Sequence, residues 1–82
     1  MKQHRARNIV ASALRSTRAE LHLSLEEVSK RTKLNISTIS RYENGTVSQQ
    51  IDILEKILEI YGIEMDVFFS KKYANVQNLL KE

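Results

Sequence analysis

The stretch Ser24-Leu25-Glu26-Glu27-Val28-Ser29-Lys30-Arg31-Thr32-Lys33-Leu34-Asn35-Ile36-Ser37-Thr38-Ile39-Ser40-Arg41-Tyr42-Glu43-Asn44-Gly45 decides how this chain folds. Ser24 followed three residues later by Glu27 is a capping box. The hydroxyl accepts an orphan backbone N–H, and the carboxylate reaches back to the serine N–H. It predicts a short helix near 25–32 with Leu25, Val28 and Thr32 inward. Lys33-Leu34 interrupts that helix. Asn35 then caps a second short helix, near 36–43, with Ile36, Ile39 and Tyr42 at i, i+3, i+6. Asn44-Gly45 ends it, because glycine takes the left-handed conformation at a helix C-terminus without a Cβ penalty. Two short helices joined this tightly meet the steric demands of a helix-turn-helix. Val28 and Ile39 pack between them, Ser29 is small where they approach, Leu34 anchors the turn and Tyr42 closes the far end.

Longer helices flank this unit. Upstream, Val10, Leu14, Thr17 and Leu21 fall at i, i+4, i+7, i+11 and predict a helix near 8–21 with one apolar face. Residues 1–7 are polar and basic and read as a loose arm. Downstream of the polar loop Thr46-Val47-Ser48-Gln49 comes a helix over roughly 50–61. Its Ile51, Ile53, Leu54, Ile57, Leu58, Ile60 and Tyr61 cover more than one stripe and predict burial on two sides. Gly62 stops it, and a short helix with Met65, Val67, Phe68 and Phe69 follows. In the tail, 70–82, Tyr73, Val76, Leu79 and Leu80 fall at i, i+3, i+6, i+7 and suit a final helix. No segment alternates with period two for long enough to make a strand. The fold class is therefore all-α, a five-helix bundle with an optional C-terminal extra helix.

Composition narrows the function classes. The 82 residues include no cysteine and two histidines, which leaves no disulfide framework and no zinc cage. No apolar run is long enough to span a membrane or to act as a signal sequence. A secreted chain this small normally carries disulfides, so a cytoplasmic location is expected. Residues 1–46 hold nine Lys and Arg against four acids, whereas residues 47–82 hold four Lys against six acids. A basic half attracts a polyanion, nucleic acid being the commonest; an uneven solvated surface is the plainer reading of the same charge. His4, His22 and the serines form no catalytic set, so no enzyme and no cofactor are expected.

Residues 8–69 resemble the Cro/repressor type of helix-turn-helix domain, the XRE family. The most telling stretch runs from Leu34 to Gly45 and includes the closing Glu43-Asn44-Gly45. The later Tyr61-Gly62-Ile63 and Val67-Phe68-Phe69 are similar to the family's fourth and fifth helices. Three positions depart from the pattern. Lys33 stands where the family often has glycine, Leu25 where many members have glutamine, and Gln49 where proline is frequent. A non-glycine residue at a left-handed position costs about 1 kcal/mol.

The resemblance implies a domain that binds a double-stranded DNA operator with the second helix of the motif in the major groove. Ile36, Ser37 and Arg41 align with the base-reading positions, with Thr38 and Ser40 on the same face. Arg41 matches guanine O6 and N7 in a bidentate contact, or a phosphate; Ser37 suits either base type; an exposed Ile36 packs on a thymine methyl. Thr38 can equally be a helix-start residue with no partner. Phosphate candidates are Ser24, Asn35, Asn44 and Thr46, together with Arg5 and Arg7 of the arm. The family commonly joins an arginine and a glutamate at Arg18 and Glu43, which implies a structural ion pair. It also implies a homodimer on a palindromic operator. The interface would use Val67, Phe68 and Phe69 with Leu79 and Leu80 of the tail. Phage repressors and restriction–modification controller proteins are similar small members. A second reading is an antitoxin-type module whose residues 70–82 grip a protein partner, with DNA binding autoregulatory.

Overall fold

The computed structural model describes residues 4–70. Four helices, α1 (Arg5–Glu20), α2 (Leu25–Thr32), α3 (Ile36–Asn44) and α4 (Ile51–Tyr61), are followed by α5 over residues 65–70. No strand occurs among the described residues. α3 packs against both α1 and α2, and α2 also touches α4. The core is built from Leu14 of α1, Val28 of α2, Ile39 and Tyr42 of α3, Leu54, Ile57, Leu58 and Tyr61 of α4, and Phe68 of α5. Every helix thus contributes to one apolar centre.

α1 starts at Arg5, three residues earlier than the apolar spacing predicts. Arg5-Ala6-Arg7 are good helix formers with no proline to stop them, so the helix propagates upstream of its core-facing stripe. Arg5 and Arg7 therefore stand on the first turns of α1 and not on a loose arm. At its other end, Leu21 is the C-cap and His22 turns left-handed at φ 57°. The chain leaves the helix there, which swings Leu21 out to solvent instead of into the predicted apolar face.

The capping box of α2 is complete. The Glu27 amide donates to Ser24 Oγ at 3.0 Å, and the Ser24 amide donates to Glu27 Oε1 at 3.0 Å. α2 closes on Lys33 with φ 65° and ψ 23°, the left-handed position where glycine would be unstrained. Hydrogen bonds hold the strained turn. Ser29 Oγ donates to the Leu34 carbonyl at 2.5 Å, and the Leu34 amide donates to Thr32 Oγ1 at 3.2 Å. Buried Thr17 and Thr32 satisfy their hydroxyls on the Ala13 and Val28 carbonyls four residues back, each at 2.7 Å.

α3 begins at Asn35, as the sequence predicts, but the Asn35 side chain makes no capping hydrogen bond. Its carbonyl alone engages the helix, accepting from the Thr38 and Ile39 amides. Gly45 ends α3 at φ 71° and Gly62 ends α4 at φ 73°. α4 buries one face and half-buries its flanks, and Ile51 remains 59% exposed, so the helix is not covered on two sides. Adjacent phenylalanines divide in α5. Phe68 is 3% exposed and belongs to the core, while Phe69 points outward and meets the Phe68 ring edge-to-face at 5.3 Å. The core claims Phe68, so it has no surface left for the dimer contact expected of it. Leu79, Leu80 and the rest of the tail beyond residue 70 lie outside the described residues, as do residues 1–3.

Candidate nucleic-acid interface

α3 has two unlike faces because its sequence alternates with helical period. Ile39 and Tyr42 turn inward and are buried. Ile36, Ser37 and Arg41 turn outward and are exposed, with Thr38 and Ser40 half-buried beside them. Ile36 is 42% exposed. It therefore lies outside the core, on the face predicted to meet a thymine methyl. α3 thus presents a polar ridge with one apolar residue at its start.

The far end of that ridge is fixed to α1. Arg18 Nε donates to Glu43 Oε2 at 2.7 Å and Nη2 donates to Oε1 at 2.9 Å. Its remaining nitrogen, Nη1, donates to the Leu23 carbonyl at 2.8 Å. The two side chains are 19% and 5% exposed, so the pair is largely removed from water. The Glu43 hydrogen bonds raise the Arg18 pKa above its ordinary value, against the desolvation that lowers it. Arg15, one turn earlier on α1, donates Nη1 to the Glu43 carbonyl at 2.7 Å. Nearby, the Tyr61 hydroxyl is buried without a hydrogen-bond partner. Burial first, and the Glu43 charge second, push its pKa up to about 12.

The expected phosphate residues divide. Ser24 has its hydroxyl and amide both engaged by Glu27, whose carboxylate is held below the usual range chiefly by that backbone N–H. Glu26 adds a second acid in the same turn. Ser24 thus serves as the cap of α2, with two carboxylates beside it at the helix start. Asn35 is exposed at the start of α3 with no capping bond made by its side chain. Asn44 Nδ2 donates weakly to Ser40 Oγ at 3.4 Å, and Thr46 is exposed just beyond Gly45. Arg7 Nη2 donates to Ser48 Oγ at 3.1 Å, which brings the first turns of α1 to the α3–α4 loop. Arg5 is exposed on the preceding turn.

Two residues to which the sequence gives no role at the site, Gln49 and Arg15, join this region. Gln49 Nε2 donates to the Tyr42 and Arg7 carbonyls, both at 3.0 Å. Arg15 could have been suspected from its i, i+3 spacing to Arg18 on one helix face. Gln49 carries no such local signal, because its partners are 7 and 42 residues away.

Among the described residues no helix is long and apolar enough to cross a membrane, and no group of three His, Cys, Asp or Glu side chains could hold a metal ion. A helix-turn-helix family model matches residues 14–68. The chain is 31% identical over 71 residues to the cryptic phage CTXphi transcriptional repressor RstR of Vibrio cholerae, a match covering 87% of this chain and 64% of the relative. The chain thus spans less than two thirds of that relative's length. No solved structure gives a significant match. With the two short helices, the left-handed turns at Lys33 and Gly45 and the Arg18–Glu43 pair in place, the chain belongs to the XRE-type helix-turn-helix family of DNA-binding transcriptional regulators.

Proposed function

We propose that this chain is a sequence-specific regulator that binds a palindromic double-stranded DNA operator as a homodimer in the cytoplasm, in the manner of a phage repressor. One observation carries the reading. The outward face of α3 is exposed and polar while its inward face is locked in the core. Such a helix inserts in the major groove with Ile36, Ser37, Thr38, Ser40 and Arg41 toward base edges. Asn35, Asn44, Thr46, Arg5 and Arg7 meet phosphates on either side and set the register. The likeness to the Vibrio relative, a phage transcriptional repressor, supports repression over activation. Dimerisation is supported by the exposed apolar side chains of Ile51, Val67 (49% exposed) and Phe69 around the α4–α5 end.

Selection from a random duplex library, paired with sedimentation of the free chain, tests the whole reading. The expected product is a motif with two-fold symmetry and half-sites roughly 34 Å apart, bound by two copies. A single asymmetric site bound by one copy contradicts the dimer. No enrichment at all contradicts DNA recognition.

A further inference from the structure

The last turn of an α-helix leaves its carbonyls without partners inside the helix. In α3 three successive ones are answered from outside. The Arg41 carbonyl accepts from the Gly45 and Thr46 amides at 3.0 and 3.2 Å. The Tyr42 carbonyl accepts from Gln49 Nε2 at 3.0 Å, and the Glu43 carbonyl accepts from Arg15 Nη1 at 2.7 Å. A primary amide has two N–H donors in a fixed fork. Gln49 uses the second on the Arg7 carbonyl, so a single nitrogen ties the start of α1 to the end of α3. Beside it, the Gln50 amide donates to Tyr42 Oη at 2.9 Å, which holds Tyr42 by its ring hydroxyl as well as by its backbone. Gly45 completes the approach. It is buried, and a Cβ there would overlap Asn8 Oδ1 on α1.

The geometry points to Gln49 and Arg15 as positioning residues for DNA recognition: they clamp the C-terminal turn of α3 to α1 and thereby fix where Ser37 and Arg41 meet the bases. This inference rests on the reading of α3 as the recognition helix. Both amide hydrogens of Gln49 are committed to main-chain carbonyls and have none left to donate to DNA. Its influence passes through the pitch of the helix. Base contacts demand placement within about 0.5 Å, whereas phosphate attraction depends on charge and tolerates a shift in register. A loosened α3 therefore loses discrimination before it loses affinity for DNA in general. A residue needed only for folding would lower both together.

The test uses the full chain and Gln49→Met, which keeps the side-chain length, removes both donors and changes no charge. Dissociation constants are measured at several salt concentrations, well below the variant's melting temperature. The duplexes are the one the parent selects and a scrambled duplex of equal length. The expected result is a roughly fivefold or greater weakening on the selected duplex. The scrambled duplex keeps its affinity and its salt slope. Arg15→Met and Arg15→Lys provide the second arm: Lys keeps the charge and a donor, and is expected to recover part of the selectivity that Met loses. Equal losses on both duplexes, or full selectivity in Gln49→Met from a selective parent, overturn the clamp alone. A parent that prefers no duplex overturns the reading of α3 and the clamp's role with it. If Gln49→Met does not fold, the Arg15 pair decides: Lys no better than Met overturns the proposal.

Discussion

The Arg18 guanidinium grips both carboxylate oxygens of Glu43, at 2.7 and 2.9 Å, and spends its remaining nitrogen on the Leu23 carbonyl. α1, the α1–α2 loop and the end of α3 thus meet on one side chain. Glu43 is nearly removed from water, so taking away either partner strands a charge. Glu43→Ala and Arg18→Ala are each expected to destabilise the fold by about 3 kcal/mol. The double change to apolar residues of similar volume costs less than the sum of the two. Urea unfolding of the singles and the double measures this directly. Single-variant losses near zero would contradict a pair that anchors α3.

Gly45 and Gly62 have almost the same backbone angles, with φ of 71° and 73°. Their surroundings differ. A Cβ at Gly62 meets nothing within 4 Å, while one at Gly45 overlaps Asn8 Oδ1 and crowds the Arg7 carbonyl. Gly62→Ala therefore isolates the left-handed penalty, about 1 kcal/mol. Gly45→Ala adds the displacement of α1 and is expected to cost roughly twice as much. Thermal melts of the two variants compare them, and a smaller loss at Gly45 contradicts the tight approach.

The Tyr61 hydroxyl is buried with no partner. Tyr61→Phe removes the unmatched polar group and keeps the ring, so stability is expected to rise by about 1 kcal/mol. The raised pKa, about 12, carries a pH signature. The unfolded chain loses this proton near the ordinary value of about 10, before the native state does. Ionisation therefore leaves the parent's stability untouched below that value and lowers it as pH climbs toward the folded value. Denaturation midpoints of parent and Phe variant are expected to keep their order with a gap that widens over this alkaline range, and convergence or crossing would contradict a bare buried hydroxyl.

The Ser24 amide lowers the pKa of Glu27 in the capping box. A depressed folded value means that the contribution is present above the unfolded value, about 4.3, and is lost as pH falls through the folded one. Glu27→Gln keeps an acceptor for the Ser24 N–H and cannot titrate. Its acid-unfolding profile is expected to be flatter than the parent's below about pH 5. Parallel profiles would contradict the coupling.

The helix-turn-helix was legible because its signals are local. The capping box needs only Ser24 and Glu27, and the end of α3 needs only Gly45. Ile36 was ambiguous, since its spacing to Ile39 and Tyr42 suits the core, and only the packing of α3 against its neighbours turns it outward. The start of α1 was missed because no capping residue marks it: His4 occupies the N-cap position without a side-chain bond. Phe68 and Phe69 are adjacent and chemically identical, so periodicity could not say which enters the core. In the sequence Gln49 stands out only as a residue where the family frequently has proline. Its bridge exists only once residues 7, 42 and 49 are brought together by the fold.

The central claim is that the exposed side of α3 reads bases. Operator selection from a random duplex library, run in parallel with the parent, Arg41→Ala and Ser37→Ala, tests it most directly. The account predicts that each variant relaxes or changes the preference at its own position in the motif, with a discrimination loss of about 1–3 kcal/mol for Arg41. Recovery of the parent's motif, unaltered, from both variants would contradict it.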